Sequence, residues 1–471
     1  MVRVAALKGL ARSHAAVPLR EISACLSDPV PEVRTAAIDS LRQQAASGGG
    51  IVAQIEPLLA DADPLVRARA AQVLLCTAKH DRSREMLHAM VADSHPHLRA
   101  QALEALGESG DETAWSLVVS AMLDGQPVVR KAAFGALAAI NPTAALPLLI
   151  QHLNDEDGSV RCALADVVGG MGEPAVDPLV DALANPDFED GALMALAHLP
   201  AQPAAVKIRA HARTAAQAAL HYHGLAQRIG GGVEVDGSIQ LLADSLDDQA
   251  ICCGLNALRA LGLVTAGEAV GAAVQNLGSR DAGQRANALE TLEAMGEREI
   301  VHPLLALWEP LPDAPSTPLP PLREGWLISL LDDPHPWLRA CAVMAAAKSA
   351  DALVRERIES ISRADADGFV RALAENVLKG ETGMDTLATL SLMDRILFLR
   401  RVPLFDGLSP ADLKQVAAIA REVLFSDGQV MARQNELGTE MFILVSGEVR
   451  VLIATGGQKE ASKPSLSCPA D

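Results

Sequence analysis

The chain has 471 residues, a formal charge of −19, 49% hydrophobic residues and 3% aromatic residues. That length fits two to four domains or one long solenoid, and the acidic balance excludes a nucleic-acid groove, which needs a basic stripe, and disfavours anionic lipid. No apolar run approaches the length of a membrane span and the start lacks a signal-peptide core, so a soluble, cytoplasmic segment is expected. The seven cysteines are scattered, odd in number and without a Cys-x-x-Cys pair, which reads as small helix residues in a reducing compartment.

Residues 2–13 read as the second helix of a helix pair whose first helix is missing, so the chain is expected to begin inside a longer array. From there a motif recurs. Its clearest copy is Asp28-Pro29-Val30-Pro31-Glu32-Val33-Arg34, followed by Ala37 and Leu41. The frame returns at Arg67, Arg99, Arg130, Arg285 and Arg371, with weaker copies at Arg161 and Arg339. The first-half spacings are 31–33 residues, and a fixed period of that size is the mark of stacked helix pairs. An Asp stands six positions before the Arg in seven copies: Asp28/Arg34, Asp61/Arg67, Asp93/Arg99, Asp124/Arg130, Asp155/Arg161, Asp333/Arg339 and Asp365/Arg371.

This spacing has a physical reason. The Asp falls in the turn, where its side chain is expected to cap N–H groups of the next helix. Pro29, Pro64 and Pro334 sit near that helix start, where a missing N–H costs little. The Arg lies in the first turn, unfavourably for the helix dipole, so it calls for a carboxylate, its own Asp or a neighbour's. The small Ala lets helices approach and the Leu faces the core. The pattern resembles the HEAT repeats, including the shorter ones of phycobilin lyases, over roughly residues 1–380. The resemblance implies an α-α superhelix held by an Asp/Arg ladder.

Further along, the copy near Asn185 has Gly191 in the Arg slot. Residues 200–235 diverge and contain His221-Tyr222-His223 and Gly230-Gly231-Gly232. The glycines read as a loop, since no strand precedes them as a phosphate cradle requires, and histidines two apart point to different helix faces, against a metal site. Helix pairs resume over 238–308. Residues 309–322 are a Pro-rich insertion, a spacer between repeats. Two more repeats run over 324–380.

The pattern then changes. An amphipathic helix is expected over 385–400. Val402-Pro403-Leu404-Phe405-Asp406-Gly407-Leu408-Ser409 leads, with Ser409 as cap, into a helix over 410–421. Strand-like alternation comes next at Val423, Phe425 and Val430, then Met441 to Val445 with a hairpin at Ser446-Gly447-Glu448. This stretch resembles the beginning of a cyclic nucleotide-binding domain, whose turn glycines match Gly428, Gly438 and Gly447 as structural glycines. The phosphate-binding cassette of that family has no counterpart after Ala454, so no ligand-binding residue is carried over.

The expected fold is thus mostly α, with a small incomplete β-roll over 385–457 and a disordered tail over 458–471. No catalytic, cofactor-binding or metal site is assigned. The order of parts resembles the soluble tail of bacterial nucleotide-translocase-like membrane proteins, so the segment is also read as a candidate cytoplasmic part of one. The functional expectation is a non-enzymatic regulatory or scaffold module: the solenoid binds a protein partner, and a complete terminal domain would sense a cyclic nucleotide. The alternatives are a phycobilin-lyase-like or other HEAT enzyme or chaperone, and a pure interaction scaffold.

Overall fold

The structure, a computed structural model, describes residues 2–12, 19–44, 49–200, 202–230, 236–265, 268–279, 281–294, 297–308, 325–380, 390–433 and 440–450, with 453–455, 458–460 and 465–467. It divides into two compact units, Met1–Gly380 and Glu381–Asp471.

The first unit is built from helix pairs. The described helices, in order, are α1 (Val2–Arg12), α2 (Leu19–Ala24), α3 (Pro31–Gln44), α4 (Gly49–Ile55), α5 (Pro64–Ala78), α6 (Asp81–Met90), α7 (Pro96–Ser109), α8 (Trp115–Ala121), α9 (Pro127–Ile140), α10 (Pro142–Ile150), α11 (Gly158–Gly169), α12 (Val176–Ala182), α13 (Pro186–Leu196), α14 (Ala205–Gly230), α15 (Gly237–Val264), α16 (Glu268–Asn276), α17 (Ala282–Glu293), α18 (Arg298–Leu305), α19 (Trp326–Leu331), α20 (Pro336–Ala345), α21 (Ala352–Ala364) and α22 (Gly368–Lys379). The odd-numbered helices α1 to α13 are the second members of the pairs and pack on one another in order. The fold class is therefore an α-α solenoid.

Repeated small residues set the stacking distance. Ala37, Ala70, Ala102 and Ala133 are fully buried where consecutive second helices touch, and Leu41, Leu74, Leu106 and Leu137 fill the core one turn on. Each such leucine contributes about 1.5–3 kcal/mol by leaving water. One core runs continuously from Leu7 to Leu305. Gly107 shows how close the backbones come: a Cβ there would lie 2.7 Å from Ala136 Cα.

The divergent stretch is no loop between repeats. It is most of α14, 26 residues long, antiparallel to the 28-residue α15. Only the end of the glycine run, Gly231 and Gly232, lies outside the described residues. The reason is a sustained helical period with no turn residue: Ile208, Ala212, Ala216, Ala219, Ala226 and Ile229 are all buried. This hairpin also reorders the stack. α20 packs directly on α15, and α16 to α18 pack beside the hairpin through α15·α16 and α14·α18. The solenoid continues as α13, α15, α20, α22, so helices α16–α18 form a side arm. The Pro-rich insertion 309–322 lies outside the described residues.

The second unit contains α23 (Leu392–Leu399) and α24 (Pro410–Ile419). Ser391 closes a capping box with Asp394 on α23, and Ser409 caps α24 by accepting the Asp412 N–H. Residues 385–389 of the expected first helix lie outside the described residues. Pro403–Phe405 forms a short 3₁₀ turn before Gly407, at φ +81°.

The strand expectation here is corrected. Residues 420–433 and 440–445 form no strand, and the expected hairpin across Ser446–Glu448 does not pair Met441–Val445 with Val449–Ile453. Instead β1 (Glu448–Arg450) pairs antiparallel with β4 (Ser465–Ser467), and β2 (Ile453–Thr455) with β3 (Gln458–Glu460). Two of these strands stand in the segment expected as a disordered tail. The physical reason is cooperativity: alternating apolar residues become a strand only where a neighbour completes the ladder and covers one face, and a two-stranded ribbon is marginal in water. Without that cover Val423, Leu424, Val430 and Met441 stay exposed, Leu424 at 93%. Gly428 and Gly447 adopt φ +74° and +95°, turn conformations that favour glycine. Gly438 and Cys468 lie outside the described residues.

Candidate functional site

The residues that the sequence singles out meet at the turns leading into the second helices. Each motif Asp first organises its own turn. Asp61 Oδ1 accepts the Asp63 N–H at 2.9 Å, Asp124 the Gln126 N–H at 2.9 Å and Asp155 the Asp157 N–H at 2.9 Å. Asp93, Asp333 and Asp365 do the same to residues two positions on, each at 2.8 Å. This corrects the expected capping: the motif Asp closes an Asx turn, and the N-cap of the helix is the residue two further on. Where that residue is itself acidic, as at Asp63, Asp157 and Asp367, its side chain takes the first helical N–H groups. Proline stands at the first helical position in Pro64, Pro96, Pro127, Pro186 and Pro336. Pro29 and Pro334 precede the helices that start at Pro31 and Pro336.

The Arg six positions after the Asp then faces two ways. Its Nη1 donates back to the carbonyl of its own turn's Asp, as in Arg34 to Asp28 at 2.8 Å, Arg99 to Asp93 at 2.9 Å and Arg130 to Asp124 at 2.9 Å. Its Nε and Nη2 form a two-pronged bond to the carboxylate of the next turn. Arg34 holds Asp61 at 2.8 and 2.6 Å, Arg99 holds Asp124 at 2.9 and 2.8 Å, Arg130 holds Asp155 at 2.8 and 2.7 Å, and Arg339 holds Asp365 at 2.8 and 2.7 Å. Arg3 reaches Asp28 in the same sense. Each guanidinium thus ties one repeat's backbone to the next repeat's side chain. Stacking alone creates this pairing.

Burial raises the stakes. Arg130 and Asp155 have side chains 7% and 6% exposed. Burial acts to raise the Asp61, Asp155 and Asp365 carboxyls, and the guanidinium with the turn N–H overrides it, leaving all three below the usual carboxylate range. At Asp124 the bond from Arg99 is the larger influence, with the same outcome.

The ladder has gaps. Arg67 donates only to the Asp61 and Ala62 carbonyls, at 2.8 and 3.0 Å, with no ion pair to Asp93 among the described residues. Arg161 bonds the Asp155 and Glu156 carbonyls, at 2.7 and 3.3 Å; in the next turn Asn185 is the N-cap of α13, accepting the Asp187 N–H at 3.0 Å, and the position two before it is Leu183. The structure corrects the sequence register of that repeat: α13 starts at Pro186, so the fourth helical position, where the other repeats carry the Arg, holds Glu189, and Gly191 lies two residues on, where a Cβ would lie 2.5 Å from the Leu153 oxygen. Arg285 donates to the Ser279 carbonyl at 2.8 Å, and Arg371 to those of Asp365 and Ala366.

Other chemistry-bearing residues are spoken for by structure. His223 bonds Asp247 at 2.7 Å, and His211 bonds Glu189 at 2.8 Å. His95 and His97 only stack loosely, 6.2 Å between ring centres. Shallow cavities among the described residues include one of about 360 Å³ beside Glu56, Pro57 and Arg82, and one of about 200 Å³ beside Arg213, Gln217 and Glu299. Among the described residues no helix is long and apolar enough to cross a membrane.

A family model described as HEAT repeats matches residues 52–138 and 117–197. Over residues 52–197 the chain carries HEAT repeats. A second model, of the HEAT repeat associated with sister chromatid cohesion, matches residues 19–41, where α2 and the start of α3 lie. No family model reports the cyclic nucleotide-binding resemblance of the second unit or the translocase-tail arrangement. No curated protein matches the chain. Among solved structures, the CpcE–CpcF complex of phycocyanin lyase from Nostoc sp. PCC7120 matches at 20% identity with a TM-score of 0.28, over 54% of this chain and 95% of that one. An engineered protein matches at 18% identity with a TM-score of 0.27, over 81% of this chain and all of that one.

Proposed function

We propose that the chain is a non-enzymatic scaffold, in which the HEAT solenoid offers its exposed helix faces to a protein partner. The observation that carries this reading is the fate of the polar turn residues. The side chains closest to forming a site, Arg34 and Asp61 through Arg339 and Asp365, bind each other as mortar between repeats. What the stack then presents to solvent is a periodic helix surface. Glu104 and Glu108 on α7 belong to it, and burial between its neighbours raises the Glu104 carboxyl.

The test is a photo-crosslinking residue placed at Glu104 or Glu108 in native cells. A discrete protein adduct shared by both positions is expected. Adducts absent there and at matched sites along α3 to α11 would refute a scaffold role for this face.

The second unit gives the regulatory part of the proposal. Its Val402–Ser409 opening, capped helix α24 and positive-φ glycines are consistent with the start of a cyclic nucleotide-binding fold. With no cassette residue to hold a cyclic phosphate, this chain is expected to give no binding heat with cyclic AMP or cyclic GMP. Micromolar binding by calorimetry would overturn that.

A further inference from the structure

Asp333 stands at the turn position of the ladder, yet no guanidinium reaches its carboxylate among the described residues. The reordering of the stack explains this. The repeat beneath Asp333 is the α14–α15 hairpin, which has no motif Arg at that level. In its place the Tyr222 hydroxyl of α14, 111 residues away in sequence, donates to Asp333 Oδ2 at 3.0 Å. Oδ1 accepts the His335 N–H at 2.8 Å. Arg339 spends its fork on Asp365 and touches only the Asp333 carbonyl, at 2.8 Å. A carboxylate in a residue 7% exposed therefore has one neutral phenol and one amide as donors.

Trp337 Nε1 donates to Ser245 Oγ at 3.1 Å, Ser245 Oγ lies 3.6 Å from Cys341 Sγ, and Lys348 meets Asp236 at 2.7 Å on the exposed rim. We propose that the seam between the α14–α15 hairpin and α20 is a proton-sensitive joint of the solenoid, closed more tightly when Asp333 is neutral and loosened when it is charged.

The chemistry is a reversal of one hydrogen bond. A protonated Asp333 donates from Oδ2 to the Tyr222 oxygen, so the contact survives while the cost of an unpaired buried charge disappears. Burial pushes the Asp333 carboxyl up, and the His335 amide, Tyr222 and Arg339 only partly offset it. The groups facing it are Tyr222 from α14, pushed up by burial and by Asp333, Cys253 from α15, pushed up to about 12 by burial, and His335 and Arg339 from its own turn. Tyr222 and Cys253 stay neutral through the working range. The sign is set by that direction: a carboxyl raised on folding stabilises the closed seam below the unfolded value of about 4, and that stabilisation is lost as pH rises to the folded value. Asp61, Asp124, Asp155 and Asp365 are lowered, so their stabilisation is lost in the opposite direction.

The experiment is hydrogen exchange of the full chain from about pH 7.5 to about pH 4.5, corrected for intrinsic exchange, comparing α20 with α9. In the wild type, α20 protection is expected to rise about three- to tenfold on acidification. It should be flat in Asp333→Asn, which keeps the acceptor for the His335 N–H, and should persist in His335→Gln, which removes the imidazole of the turn. Tyr222→Phe should steepen it. Flat or falling α20 protection in the wild type, a slope that survives Asp333→Asn, or one that vanishes in His335→Gln would overturn the proposal.

Discussion

Replacing Arg130 with Ala removes three hydrogen bonds at once: two to Asp155 at 2.8 and 2.7 Å and one to the Asp124 carbonyl at 2.9 Å. The pair is buried, so the dominant cost is the Asp155 carboxylate left behind. Breaking a buried pair from one side costs about 3–5 kcal/mol. Here Asp155 keeps the Asp157 N–H at 2.9 Å and the removed guanidinium no longer has to be desolvated, which brings the expected loss to about 2–3 kcal/mol. Arg67→Ala is the internal control. It removes two carbonyl bonds and strands no carboxylate, so about 1 kcal/mol is expected. Urea unfolding followed by circular dichroism, with a double-mutant cycle between Arg130→Met and Asp155→Asn, separates pairing from packing. The difference should also vanish in acid. The lowered Asp155 carboxyl contributes stability above the unfolded value of about 4, and this is lost as pH falls through the folded value. Equal losses in Arg130→Ala and Arg67→Ala, or a coupling below about 0.5 kcal/mol, would refute the idea that the ladder holds the repeats together.

Asn185→Ala should destabilise by about 1 kcal/mol, read as a lower urea midpoint, because it removes the cap that accepts the Asp187 N–H at 3.0 Å; an unchanged midpoint would mean the cap does not hold the start of α13. Gly191→Ala and Gly107→Ala should each destabilise by about 1–3 kcal/mol, since the new methyl meets backbone at 2.5 and 2.7 Å. Gly135→Ala, with open space around the new methyl, should instead gain about 0.5–1 kcal/mol from helix propensity. Thermal melts of the three variants in one buffer check this ordering.

The parts of the fold legible in the sequence are those fixed by local rules. The Asp-to-Arg spacing of six repeats because it is set within one turn and one helix start, and it locates every regular second helix. The partner of each Arg was not legible, since whether Arg130 turns to Asp124 or Asp155 depends on how far one repeat is displaced from the next. The α14–α15 hairpin was missed for a related reason. Its apolar period runs on from Ile208 to Ile229, but the absence of the turn motif reads as divergence when it is simply a longer helix. Tyr222 carried no signal at all, because its partner Asp333 lies beyond an arm that the stack steps around. In the second unit the alternation at Val423, Phe425 and Val430 was visible, but a strand is a property of its neighbours as much as of its own residues.

The bypass of α16–α18 separates two kinds of connectivity. Tension applied between the ends of the first unit is carried from face to face through α13, α15, α20 and α22, while the covalent path runs by way of α16–α18. At 1.5 Å per residue α15 is about 42 Å long, against about 21 Å for the 14-residue α9, so one helix bears the load of two successive repeats. Stretching the unit should therefore first shear α20 from α15. Only then would the load pass to the covalent path by way of α16–α18, which keeps the last two repeats attached to the rest.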